Sequence, residues 1–81
     1  MKIRRVLGNN RKKVFVLDTR KGVYEFPYSE LNLKPTARDP LVHVAPDPEL
    51  GNEGFTYRLA SGKENTVHLE HVLRFVDDLT I

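Results

Sequence analysis

Apolar and polar residues alternate with a period of two along much of this chain, and the alternation breaks at glycine, proline and asparagine. Residues 3–7 are strand-forming and run into the turn-prone Gly8-Asn9-Asn10. Residues 11–18 hold the strongest strand pattern. Val14, Phe15, Val16 and Leu17 are all apolar, so both faces of this strand are expected to be covered and the strand to be central. Thr19-Arg20-Lys21-Gly22 reads as a type I turn closed by a left-handed glycine. Residues 23–26 return, with Tyr24 and Phe26 on one face and Glu25 on the other. Pro27 has no N–H, which ends the ladder and suits the first turn of a helix. Residues 27–31 therefore read as one helical turn that lays Tyr28 and Leu31 onto the sheet.

Pro35 and Pro40 exclude a regular helix from residues 32–40, which read as a connector. Residues 41–45 form a short strand with Val42 and Val44 on one face. Residues 46–54 are rich in breakers, and either pack down through Leu50 or form an exposed, ligand-facing loop. Phe55, Tyr57 and Leu59 alternate with Thr56 and Arg58, a half-buried strand. Ser61-Gly62-Lys63 turns the chain, and residues 64–69 return with Val67 and Leu69 on the apolar face. Leu69, Val72, Leu73 and Val76 are spaced as the stripe of an amphipathic helix, with Glu70 and Arg74 four apart on its outer side. Asp77 and Asp78 oppose a helix C-terminus, so the helix is expected to end near Phe75 or Val76. Residues 79–81 are expected to fray or to cap a sheet edge.

Residues 14–31 and 55–73 repeat one order of strand, glycine turn, strand and helical segment. Leu17 and Leu59 lie 42 apart, and Phe26 and Leu69 lie 43 apart. A lone hairpin is barely stable, so the two units are expected to share one sheet. The predicted fold is α+β: a mostly antiparallel sheet of about five strands, built from two hairpin units, with a short C-terminal helix.

Length and composition add limits to this picture. With 81 residues, the chain fits one small domain over residues 1–81, and its core is thin. There is no cysteine, hence no disulfide and no thiolate zinc site. The N-terminus is basic but lacks an apolar signal core, and no run approaches a membrane span. A cytoplasmic location is expected. The net charge of +2 is unevenly spread. Residues 1–21 carry eight basic groups against Asp18 alone, a net of +7, and residues 22–81 carry a net of −5. Such polarity suits either pairing of the two halves across the fold or a basic face for nucleic acid.

Candidate chemistry is sparse. His68 and His71 have a spacing that can share a metal on a helix, but Glu64, His43 or Asp77 would have to swing in as third ligand and His68 falls where strand changes to helix, so no cofactor or metal is expected. Glu25 and Glu30 lie close in sequence, yet so thin a domain offers little cleft for paired carboxylates. Ser29 and Ser61 lack a nucleophile's context, and the glycines around Asn52 form no phosphate loop. No enzyme is expected. The basic group is the sharpest signal. Arg11, Lys12 and Lys13 at one end and Arg20 and Lys21 at the other flank one strand, and with Arg4 and Arg5 beside them they can form one positive edge that holds phosphates in a salt-sensitive way.

Phe55-Thr56-Tyr57-Arg58-Leu59, then Ser61-Gly62, then Thr66-Val67-His68-Leu69-Glu70-His71-Val72-Leu73 resembles the small bacterial family called domain of unknown function 2442. The resemblance covers about residues 12–76 and rests on turn and core positions. It implies a strand, a glycine turn and a second strand ending in a leucine-rich helical piece, with no catalytic residues. In some members the domain precedes a helix-turn-helix segment, and for a chain ending at Ile81 the expectation is a role without that DNA-reading part. The leading expectation is a non-enzymatic bacterial binding or regulatory accessory module. It would bind an unknown protein partner, or itself through a sheet edge. Nucleic-acid binding by the seven basic residues is the alternative.

Overall fold

Six strands and one helix form where the alternating pattern places them, in a computed structural model that describes residues 1–79. Strands β1 (Ile3–Asn9), β2 (Val14–Thr19) and β3 (Gly22–Pro27) make one antiparallel sheet in the order β1-β2-β3. Strands β4 (Leu41–Pro46), β5 (Gly54–Leu59) and β6 (Glu64–His68) make a second in the order β4-β5-β6. Helix α1 (Leu69–Leu79) follows β6. The α+β class, the antiparallel hairpins and the C-terminal helix are those the pattern predicts. The strand count is six, and the strands divide between two sheets where one of about five strands was expected. The two inner faces bury Phe15, Leu17, Phe26, Phe55, Tyr57 and Leu59 against one another. β1 lies beside β4, and α1 packs against β3 and β6.

The two sheets are copies of one unit, down to their irregularities. In the first, Ile3 pairs with Thr19 and Arg5 with Asp18, leaving Arg4 as an extra, bulged residue. In the second, Leu41 pairs with Leu59 and His43 with Arg58, leaving Val42 extra in the same place. Beyond the bulge Val6–Leu17 and Leu7–Val16 correspond to Val44–Tyr57 and Ala45–Thr56. Both units then close alike: the Tyr28 N–H donates to the Lys13 carbonyl at 2.8 Å and the Leu69 N–H to the Glu53 carbonyl at 2.9 Å. The repeat is real, but its register differs from the sequence match. Phe15 corresponds to Phe55, 40 residues on, and Phe26 to Val67, 41 on. The longer loop before β5 and a turn one residue longer after it account for the drift.

Local chemistry explains the turns. The Asn9 Oδ1 accepts from the N–H groups of Arg11 and Lys12 at 3.1 and 3.0 Å, so the turn opens after Asn9. Gly8 and Asn9, expected in the turn, therefore belong to β1, and residues 11–13, expected in β2, form the turn, with Lys13 at φ 58°. Asp47 does the same work at the matching place. It caps a 3-10 turn (Pro48–Leu50) by accepting from the Glu49 N–H at 2.9 Å. Residues 46–54 are thus folded down through a capped turn. Tyr28 and Leu31 are buried as expected. Helix α1 buries Leu69 and Val72 and rests Leu73 and Val76 on the core. It runs past the expected end, through Asp77 and Asp78 to Leu79. Core contacts of Phe75 and Val76 hold that turn despite the unfavourable dipole. The expectation for residues 79–81 otherwise falls outside the described residues.

Candidate binding surface

The seven basic residues do not form one patch. Arg4, Arg5, Arg20 and Lys21 stand at the end of the first sheet where Ile3 meets Thr19. Arg11, Lys12 and Lys13 stand at the other end, in the turn after Asn9. The six residues of β2 separate the groups by roughly 20 Å at about 3.3 Å per residue. All seven are exposed. Arg4 is engaged: its Nη2 lies 3.2 Å from the Asp18 Oδ1 and donates to the Thr19 carbonyl at 3.3 Å. Among the described residues, none of the other six is in an ion pair. Pairing of the basic and acidic halves is accordingly not seen among the described side chains. Only the N-terminal ammonium reaches across, to Glu53 at 3.6 Å.

Between the two basic ends lies the outer face of the first sheet. Register and alternation place Leu7 beside Val16 and Glu25, Asn9 beside Val14 and Pro27, and Arg5 beside Asp18 and Val23. Leu7 is 56% and Val23 63% exposed, and Val14 and Val16 are half-buried. The expectation that both faces of β2 are covered is therefore met on one side only. Phe15 and Leu17 are fully buried, while Val14 and Val16 meet no covering layer among the described residues. The outer face of the second sheet is different in kind. Ala45, Thr56 and Thr66 replace Leu7, Val16 and Glu25, and Thr56 hydrogen-bonds Asp47 at 2.8 Å and Thr66 at 2.9 Å. The unbroken run Val14-Phe15-Val16-Leu17, set against the alternation of Gly54-Phe55-Thr56-Tyr57, is the signal that singles out this face.

Other candidates resolve into structural roles. His68 and His71 are both exposed, and the His71 ring stands edge-on to Phe26 at 5.6 Å. Among the described residues no three His, Cys, Asp or Glu side chains converge as a metal site requires. Glu25 and Glu30 are exposed. Ser61 anchors the connector: its N–H and hydroxyl donate to the two Asp39 oxygens at 2.8 and 2.7 Å. Those bonds, the hydroxyl's first, hold the Asp39 carboxyl below its ordinary pKa. Asn10, Lys13, Tyr28, Pro35 and Pro40 border an open cleft, at whose wall the Tyr28 hydroxyl donates to Asn10 at 2.8 Å. Burial raises the pKa of Tyr28 and Tyr57, so both stay phenols at neutral pH.

No helix among the described residues is long and apolar enough to cross a membrane. No protein-family model, no curated protein and no solved structure matches the chain.

Proposed function

We propose that this chain is a non-enzymatic protein-binding module, of the accessory kind that its resemblance to domain of unknown function 2442 implies, and that it engages its partner through the outer face of the first sheet. The observation that carries this reading is the half-exposed Val14 and Val16 beside exposed Leu7 and Val23, at the centre of a face ringed by charges. An apolar centre within a polar rim is the anatomy of a protein interface. The face is favoured over a sheet edge because β1 lies beside β4 and α1 packs against β3 and β6.

A second reading has its own observation: six exposed basic side chains without a carboxylate partner among the described residues. They favour phosphate contacts. Asp18 and Glu25 on the same outer face oppose a continuous phosphate track across it.

A photoreactive benzoylphenylalanine placed at Val16, with one at Thr56 as the matching position of the second sheet, tests the proposal in whole-cell extract. Protein adducts are expected from position 16 and not from position 56. Equal adducts at both, or none at 16, would sink it.

A further inference from the structure

Two features of the first sheet's outer face fix the kind of partner it fits. The first is the missing cover. Val14-Phe15-Val16-Leu17 is the composition of a strand buried on both sides, yet the described residues supply a core to one side only. The corresponding strand of the second sheet, with half-buried Thr56 and exposed Arg58 on its outer side and Gly54 closed over by Leu50, has a glycine and a threonine where the first has valines. Since the two strands hold the same place in the same ladder, fold alone does not call for the valines.

The second feature is where the charges stand. Exposed Arg11, Lys12 and Lys13 lie beyond one end of the apolar strip and exposed Arg20 and Lys21 beyond the other, with exposed Arg5 on the last rung, that of Asp18 and Val23. At about 3.3 Å per residue the six residues of β2 set the two charged ends roughly 20 Å apart, which is the rise of about 13 helical residues, or between three and four turns. A complementary partner is apolar in the middle and acidic at both ends. Resting on the reading of the face as a protein-binding surface, we infer that its occupant is an amphipathic helix of between three and four turns, laid along β2, with an apolar stripe over Leu7, Val14, Val16 and Val23 and acidic residues at each end. Its end carboxylates meet the two basic turns; Asp18, under its path on β2, is already paired with Arg4, and Glu25 lies to one side on β3. Nucleic acid fits less well, because it offers no apolar centre and its phosphates would meet those two carboxylates.

The test is an amide chemical-shift titration of the labelled chain with three synthetic helical peptides. One has a leucine stripe and paired glutamates at both ends. The second keeps the stripe but has lysines at the ends, and the third keeps the glutamates but has serines in the stripe. The first is expected to shift the amides of Leu7, Val14, Val16 and Val23 together with both basic turns, and to bind about tenfold more tightly than either control. The double variant Leu7→Ala/Val16→Thr installs the residues that the second sheet carries at the same register, so it is expected to keep the fold. It should weaken binding by about tenfold. Arg20→Gln/Lys21→Gln should weaken it severalfold and reduce its sensitivity to salt. Equal binding of the lysine-ended peptide would overturn the inference while leaving the protein-binding reading in place. If neither leucine peptide binds, and a short DNA duplex instead shifts both basic turns in a salt-sensitive way, the inference and the reading both fall.

Discussion

Phe15 and Phe55 occupy the same place in the two halves of the chain, and their rings meet edge to face across the core with centroids 4.8 Å apart. Both are fully buried, and Phe15 also touches the rings of Tyr28 and Tyr57 at 4.9 and 5.2 Å. Neither sheet can bury its inner face alone, so this contact joins units that are too small to stand separately. Replacing either ring, as in Phe15→Leu or Phe55→Leu, should cost about 1–2 kcal/mol through lost area and an imperfectly filled site. In the double variant the losses should fall short of additive by about 0.5–1.5 kcal/mol, the coupling of one aromatic pair. Urea unfolding of the four proteins measures this. Strict additivity would mean that the halves are held by area alone and not by this ring contact.

Gly54 marks a place where the repeat departs from itself. Its counterpart Val14 carries a side chain freely, but a Cβ on Gly54 would stand 2.8 Å from the Val67 carbonyl oxygen and 2.7 Å from the Leu50 Cδ1. Leu50 can turn aside, whereas the Val67 carbonyl belongs to the backbone of β6. Gly54→Ala should therefore destabilise by about 1–3 kcal/mol. Gly8→Ala meets a movable side-chain tip of Leu41, and the Tyr28 hydroxyl at 3.0 Å, so its cost should be smaller. Thermal unfolding of the two variants ranks them, and the reverse order would contradict this account of the loop.

Most of this fold can be read from the residues, and the misreadings have physical causes. The period-two strands, the glycine turns at Gly22 and Gly62 and the stripe from Leu69 to Val76 predict the elements that form. Alternation says which residues share a face but not how many sheets those faces make, so six strands in two sheets were read as about five in one. Gly8-Asn9 looked like a turn because composition cannot show that the Asn9 side chain caps the residues after it while its own backbone stays in the ladder. The offsets of 42 and 43 match Leu17 with Leu59 and Phe26 with Leu69, but the structure aligns Phe15 with Phe55, because register follows the ladder and the bulge. That Arg11, Lys12 and Lys13 stand at one end of a strand and Arg20 and Lys21 at the other is legible in the sequence; what it does not show is that the strand's length keeps the two groups from joining into one edge. The exposed face was hidden for the opposite reason. Val14 and Val16 read as core, and only the fold leaves them uncovered.

Asp39 ties the connector to the turn after β5 through both of its oxygens, and its lowered pKa gives that tie a pH dependence. The folded form binds the Asp39 proton less readily than the unfolded chain does. The contribution is therefore complete above about pH 4, the unfolded value, and is lost as pH falls through the lower folded value. The Ser61 amide shift should stay constant near pH 6 and move below about pH 4. In Asp39→Asn that movement should vanish, and residues 36–40 should exchange their amides faster. A Ser61 shift that moves with pH in Asp39→Asn as it does in the wild type would show that the bond is absent in solution.

Tyr57 secures the other end of the same connector. Its ring is fully buried between the sheets, and its hydroxyl donates to the Leu33 carbonyl at 2.5 Å. Tyr57→Phe keeps the ring and leaves that carbonyl without its donor, so stability should fall by about 1–2 kcal/mol. Phe15 and Phe55 still pack on the ring, so the loss should be local, with faster amide exchange in residues 33–36 and unchanged protection in β2 and β5. Burial also raises the phenol pKa, outweighing the opposing effect of Asn65. The unfolded chain therefore ionises first, and stability should decline as pH rises above about 10. In Tyr57→Phe that decline should shrink, leaving the share due to Tyr28, whose pKa burial also raises. An alkaline decline of the same size in wild type and variant would show that Tyr57 ionises as easily folded as unfolded, and that its hydroxyl does not hold the connector down.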